Sequence, residues 1–183
     1  MSTVVTTLRD RWPAFAGLAV AVLTAVSLRI FGVADAAAVV TASALVYLGA
    51  AALGLRWSAW PIFGVSFVLI TVGFLVPGFD PSLIMIAIAV LMIGYGFARG
   101  RGKPLHGLPL QLVAMVILAG LAVIAARQNP ALSAILVAAG LLAHAGWDVY
   151  HHRKDRVVVR SMAEFCMVLD TVLAGLVIWL AFA

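Results

Sequence analysis

The sequence predicts an all-α protein, a polytopic bundle of seven transmembrane helices with a cytoplasmic N-terminus and an external C-terminus. Three observations carry that prediction: an apolar composition, regularly spaced apolar runs, and basic residues gathered on one side. Of 183 residues, 65% are hydrophobic and 10% charged, with mean hydropathy +1.17. Soluble domains carry charge on roughly a quarter of their residues. Net charge +5 would suggest nucleic acid in a soluble chain, but here the basic residues sit between apolar runs. They read as topology signals, so the expected partner is the lipid bilayer and not nucleic acid.

Apolar stretches bounded by Pro, Gly, Asn or charge lie at 13–33, 36–55, 60–77, 81–98, 108–126, 130–151 and 161–182. Each holds about 18 to 22 residues, enough at 1.5 Å per residue for a hydrocarbon core of roughly 30 Å. The first run could also be read as a signal peptide, with Val33-Ala-Asp-Ala36 as a cleavage-like sequence. Its length, and Arg29 ahead of that sequence, favour an uncleaved first span. Helix starts are marked by Pro13, Pro61, Pro81, Pro109 and Pro130, with Asp80 and Asn129 as N-caps. Ser161 and Glu164 have the spacing of a capping box. No soluble domain interrupts the runs, so residues 1–183 read as a single transmembrane domain.

Sidedness follows from the short connections. One side collects Arg9, Arg11, Arg56, Arg99, Arg101, Lys103, Arg153, Lys154, Arg156 and Arg160, against Arg29 and Arg127 on the other. The positive-inside rule makes the first side cytoplasmic, in the inner membrane of a bacterial-type cell. Trp12, Trp57, Trp60, Trp147 and Tyr150 then mark the inner interface and Trp179 the outer one.

Chemistry is concentrated in the sixth run. Three of the four histidines lie in His144-Ala-Gly-Trp-Asp-Val-Tyr-His151-His152, just ahead of Arg153-Lys-Asp-Arg156. At about 100° per residue, His144, Asp148 and His151 share an arc of roughly 60°, with His152 at its edge. A tight hairpin makes the sixth and seventh helices neighbours and sets Asp170 at the depth of His144. Ionisable side chains inside a span are costly against lipid and face the bundle interior or a wet cavity. His144, Asp148, His151 and Asp170 therefore form the candidate ligand set for a divalent metal, with His144 and Asp170 as the acid-base pair. Imidazole and carboxylate together suit Zn, Fe or Mn. Secondary candidates are His152, Glu164 and His106, the last in an inner loop near Gln111.

Each feature has a plainer reading beside it. His144 and Asp148 can hydrogen-bond along their helix, and His151 and His152 can belong to a lipid-contacting basic face. Glu164 can be a capping acid, His106 a solvated loop histidine, and Cys166, Thr41, Ser43 and Tyr47 packing residues. As the sole cysteine, Cys166 excludes an intrachain disulfide and a CxxC motif. Gly94-Tyr-Gly and Gly100-Arg-Gly-Lys103 lack the Lys-Ser/Thr of a P-loop. A single deep histidine argues against a bis-histidine haem.

Helix number, sidedness, and His and Asp in the cytoplasmic half resemble the alkaline ceramidase and adiponectin-receptor class of zinc-dependent membrane hydrolases. The likeness is one of architecture. That class has Ser and His on an early helix and His-x3-His on the last, whereas this chain has no histidine before His106, and its last run offers Asp170 and Cys166. No functional residue carries over. Three functions remain open: a metal-dependent enzyme acting on a lipid or other membrane-soluble small molecule, a small proton-coupled carrier, and a non-catalytic subunit of a membrane complex.

Overall fold

A computed structural model describes residues 10–31 and 36–183. Arg9 and most of the cleavage-like sequence, Asp35 included, lie outside the described residues, as does the tail of the first run beyond Phe31. Among the described residues there are seven long helices: α1 (Trp12–Phe31), α2 (Ala37–Leu53), α3 (Ala59–Leu75), α4 (Pro81–Ala98), α5 (Leu108–Ala125), α6 (Pro130–Lys154) and α7 (Arg160–Phe182). Six are long and apolar enough to cross a membrane, α3 together with the 3-10 turn Arg56–Ser58 that leads into it, and α2 is a shorter apolar helix. The chain is thus a multi-pass helical membrane bundle, the arrangement in which the backbone of a span can pair within its own helix.

Local sequence sets the ends. Asp80 caps α4, its Oδ1 accepting from the backbone N–H groups of Ser82 and Leu83 at 2.8 and 3.2 Å. Asn129 caps α6 through the N–H of Leu132 at 3.0 Å. Gly54 ends α2 with φ +62, a left-handed conformation that returns its N–H to the carbonyls of Ala50 and Ala51. The expected capping box at the start of α7 is not formed. Val159 is the N-cap, without a side-chain bond. Glu164 instead pairs with Arg11 at 3.1 Å, and the Ser161 hydroxyl accepts from Trp60 Nε1 at 3.4 Å. A tertiary charge partner has taken the acid that the local motif would have used.

Helix α6 runs three residues beyond its expected end, so His152, Arg153 and Lys154 are helical. Asp155 then turns the chain in the left-handed region. Arg56, from the α2–α3 connection, spans this corner: its guanidinium pairs with Asp155 and donates to the carbonyl of Val158 at 3.0 and 3.2 Å. The clamp ties the α2–α3 connection to the α6–α7 hairpin at the basic end.

The helices form a ring in the order α1, α7, α6, α5, α4, α3 around α2. At about 26 Å, α2 is shorter than a hydrocarbon core of roughly 30 Å, and neighbours cover nearly its whole surface. Its sequence explains the position: apolar on all sides, and rich in Ala with Ser43 and Gly49, it lets surrounding backbones come close. Gly17 does the same between α1 and α7. A Cβ there would lie 2.4 Å from the carbonyl oxygen of Phe165. Where α1 meets α3 the ring is joined mainly by aromatic stacks, Trp12 on Trp60 and Phe31 on Phe74, with centroids 5.3 and 5.6 Å apart.

Candidate metal centre

Three helices deliver the polar side chains. The i, i+4 spacing on α6 stacks His144 over Asp148. From α7 comes Asp170, and from α2, again four residues apart, come Ser43 and Tyr47. All five are buried.

His144 Nδ1 lies 2.8 Å from Asp170 Oδ2 and 3.3 Å from Asp148 Oδ2. The Tyr47 hydroxyl donates to Asp148 Oδ1 at 2.6 Å. Ser43 Oγ is 3.4 Å from both oxygens of Asp170 and 3.1 Å from the carbonyl of Val39, and its one proton serves one of these acceptors at a time. Asp148 Oδ2 and His144 Nε2 have no hydrogen-bond partner.

Charge balance decides what such a cluster needs. Among the described residues, the Arg ion pairs fall on Glu164 and Asp155, and none falls on Asp148 or Asp170. Two carboxylates face one imidazole, so even a protonated His144 leaves a negative charge uncompensated if both acids are ionised. In a low-dielectric interior that surplus is costly. Either a further proton or a cation must neutralise it. The geometry suits a cation, because one ligand atom from each of His144, Asp148 and Asp170 can be chosen so that all lie within 4.8 Å of one another. A buried His/Asp/Asp group of this kind is compatible with a metal ion. One nitrogen and two oxygens leave coordination positions open, as catalytic sites do and closed structural sites do not. Tyr47 and Ser43 would orient the ligating carboxylates from outside.

His151 stands apart from that group. Its Nδ1 contacts the carbonyl of Trp147 at 3.0 Å, so that nitrogen carries the proton. Nε2 is then an acceptor, facing Gln111 Nε2 at 3.3 Å, while Gln111 Oε1 accepts from Trp147 Nε1 at 3.2 Å. Trp147, Gln111 and His151 thus satisfy one another, and the ring is held as a packing element edge-on to Tyr47, 4.9 Å between centroids. His152 is half-buried at the edge of the helix face, His106 is exposed in the α4–α5 connection, and Glu164 is held by Arg11.

Sequence reasoning that treats Ser43 and Tyr47 as packing hydroxyls misses their bonds to the two carboxylates. A signal was present: they share one face of an otherwise apolar helix, and a buried phenol normally finds a partner. Thr41 is buried with its hydroxyl unpaired, and Cys166 Sγ packs 3.5 Å from Met162 Sδ.

Comparison with protein-family models, with curated proteins and with solved structures finds no match to this chain.

Proposed function

We propose that this protein is a metal-dependent membrane enzyme in which His144, Asp148 and Asp170 hold one divalent ion, Zn, Fe or Mn, and act on a lipid or other membrane-soluble substrate. The observation that carries the proposal is the surplus of buried carboxylate over basic side chain at a point where three ligand atoms converge. When bound, such an ion supplies Lewis acidity and a water of lowered proton affinity, which is the chemistry of hydrolysis. The chain's own residues do the rest. Tyr47 fixes the rotamer of Asp148 and Ser43 braces Asp170, so both carboxylates are held in place beside His144.

The test is elemental analysis of protein purified from membranes without added metal. A stoichiometric divalent ion, lost together with activity in Asp170→Asn, is the expected result. Wild-type protein that neither retains nor binds a divalent ion sinks the reading.

A second reading, a proton-coupled carrier, is supported by one feature. His144 also lines a cavity of about 150 Å³ between α5 and α6, so the His144–Asp170 pair stands between two cavities on different faces. In that case Asp170→Asn uncouples flux from pH and leaves metal content unchanged. Under either reading the basic end faces the cytoplasm. A reporter in the Arg99–Lys103 connection then reads as internal, and one fused after Ala183 as external.

A further inference from the structure

Between α1 and α3, where the ring is joined by aromatic stacks and not by close backbone packing, lies a cavity of about 370 Å³. Trp12 on Trp60 marks one end of this seam and Phe31 on Phe74 the other. Rim residues Leu23, Thr71 and Leu75 are exposed on the lipid-facing side. The opening is therefore lateral, toward the acyl chains. Its wall grades inward from apolar side chains to Ser66, Ser43 and Asp170, which are 1%, 7% and 0% exposed.

Size and charge narrow the occupant. Small-ligand pockets span roughly 300–1,000 Å³, and this one lies near the lower limit, suited to one slender chain and too small for a two-chain phospholipid with its head group. No Lys or Arg lines it. With the charge of a divalent ion already matched by the Asp148 and Asp170 carboxylates, a carboxylate or phosphate head would add an uncompensated negative charge to a low-dielectric wall, whereas an uncharged donor can hydrogen-bond to Asp170.

We propose that this groove admits, from the lipid phase, a single-chain amphiphile with a hydroxyl or amide end and seats that end against Asp170 and Ser43. The inference rests on the metal-enzyme reading and names the substrate class for that same site. Asp170 would then belong to both the metal shell and the substrate wall, placing the polar end of the chain beside the ion's open positions.

The experiment uses the full chain in phosphatidylcholine vesicles with a long-chain alcohol carrying a mid-chain diazirine. Photolabelling is expected in peptides of α1 and α3 that line the groove. Unlabelled long-chain alcohol or N-alkyl amide should compete about tenfold better than the fatty acid of equal length, a difference of about 1.4 kcal/mol. Ser66→Phe should fill the groove and abolish labelling. Thr71→Trp, on the exposed rim, should reduce it and serves if Ser66→Phe fails to insert. Labelling spread over the lipid-facing sides of α4 and α5, or equal competition by alcohol and fatty acid, overturns the proposal in favour of ordinary bilayer contact. Metal content of the same samples separates the two ideas. Groove labelling in metal-free protein removes the enzyme reading alone, and dispersed labelling in metal-loaded protein removes the groove alone.

Discussion

Replacing Tyr47 by Phe deletes one oxygen from a buried position and leaves the rest of the site in place. The ring keeps its edge contacts with His144 and His151, at 5.2 and 4.9 Å between centroids. What is lost is the 2.6 Å bond to Asp148 Oδ1. Because Asp148 Oδ2 has no hydrogen-bond partner, the variant leaves this carboxylate with only the 3.3 Å approach of His144 Nδ1. A hydrogen bond to a charged acceptor contributes about 1.5–3 kcal/mol. Loss of a supporting bond to a metal ligand typically weakens metal affinity about 10–100-fold, or about 1.4–2.8 kcal/mol. The two routes agree, so Tyr47→Phe should weaken metal binding by one to two orders of magnitude. The assay is a zinc titration of detergent-purified protein against a chromophoric chelator. Tyr95→Phe, at a residue that is 47% exposed, serves as the control. Equal affinity in wild type and Tyr47→Phe would refute the claim that Tyr47 supports a metal-ligating Asp148.

Gln111→Leu should strand the Trp147 indole N–H and His151 Nε2, lowering stability by about 1–3 kcal/mol. Metal content should hold, and a combined loss would return His151 to the ligand set. Gly17→Val would drive a side chain into the carbonyl of Phe165, and overpacking of that kind costs about 1–3 kcal/mol. A fall in the melting temperature of detergent-solubilised protein is the readout, and an unchanged value would show that α1 can move away from α7 at no cost. At the basic end, the Arg56 guanidinium beside Asp155 holds its carboxyl below the usual carboxylate range. A lowered folded-state value means that the stabilisation is complete above the unfolded value, roughly 3.9, and is lost as pH falls through the lower folded one. The difference in melting temperature between wild type and Asp155→Asn should therefore stay flat from roughly pH 5 to 8 and shrink only below about pH 4. A difference that changes near neutrality would assign the effect to another group.

What the sequence determined by itself is the set of helices and one pairing within it. A span must satisfy its backbone internally, so apolar length, Pro13 to Pro130 near helix starts, and the caps Asp80 and Asn129 were sufficient to delimit the helices within a few residues. The short α6–α7 hairpin forces adjacency, and matched residue counts then set His144 against Asp170. Tertiary structure alone decided the remainder. Nothing local makes α2 the axis of the bundle, since stripes of small residues also occur on α6 and α7. Its central place is what joins Ser43 to Asp170 and Tyr47 to Asp148. Likewise, Gln111 and His151 are 40 residues apart and meet only because α5 packs on α6, and Glu164 pairs with Arg11, just ahead of α1, in place of its capping box. The groove between α1 and α3 exists because those helices meet through aromatic rings at either end of the seam. The physical reason is common to all of these: lipid tails are as apolar as the helix faces they contact, so hydropathy determines which segments enter the membrane but not which neighbours they choose. That choice belongs to close packing and to the few polar groups that must find partners inside.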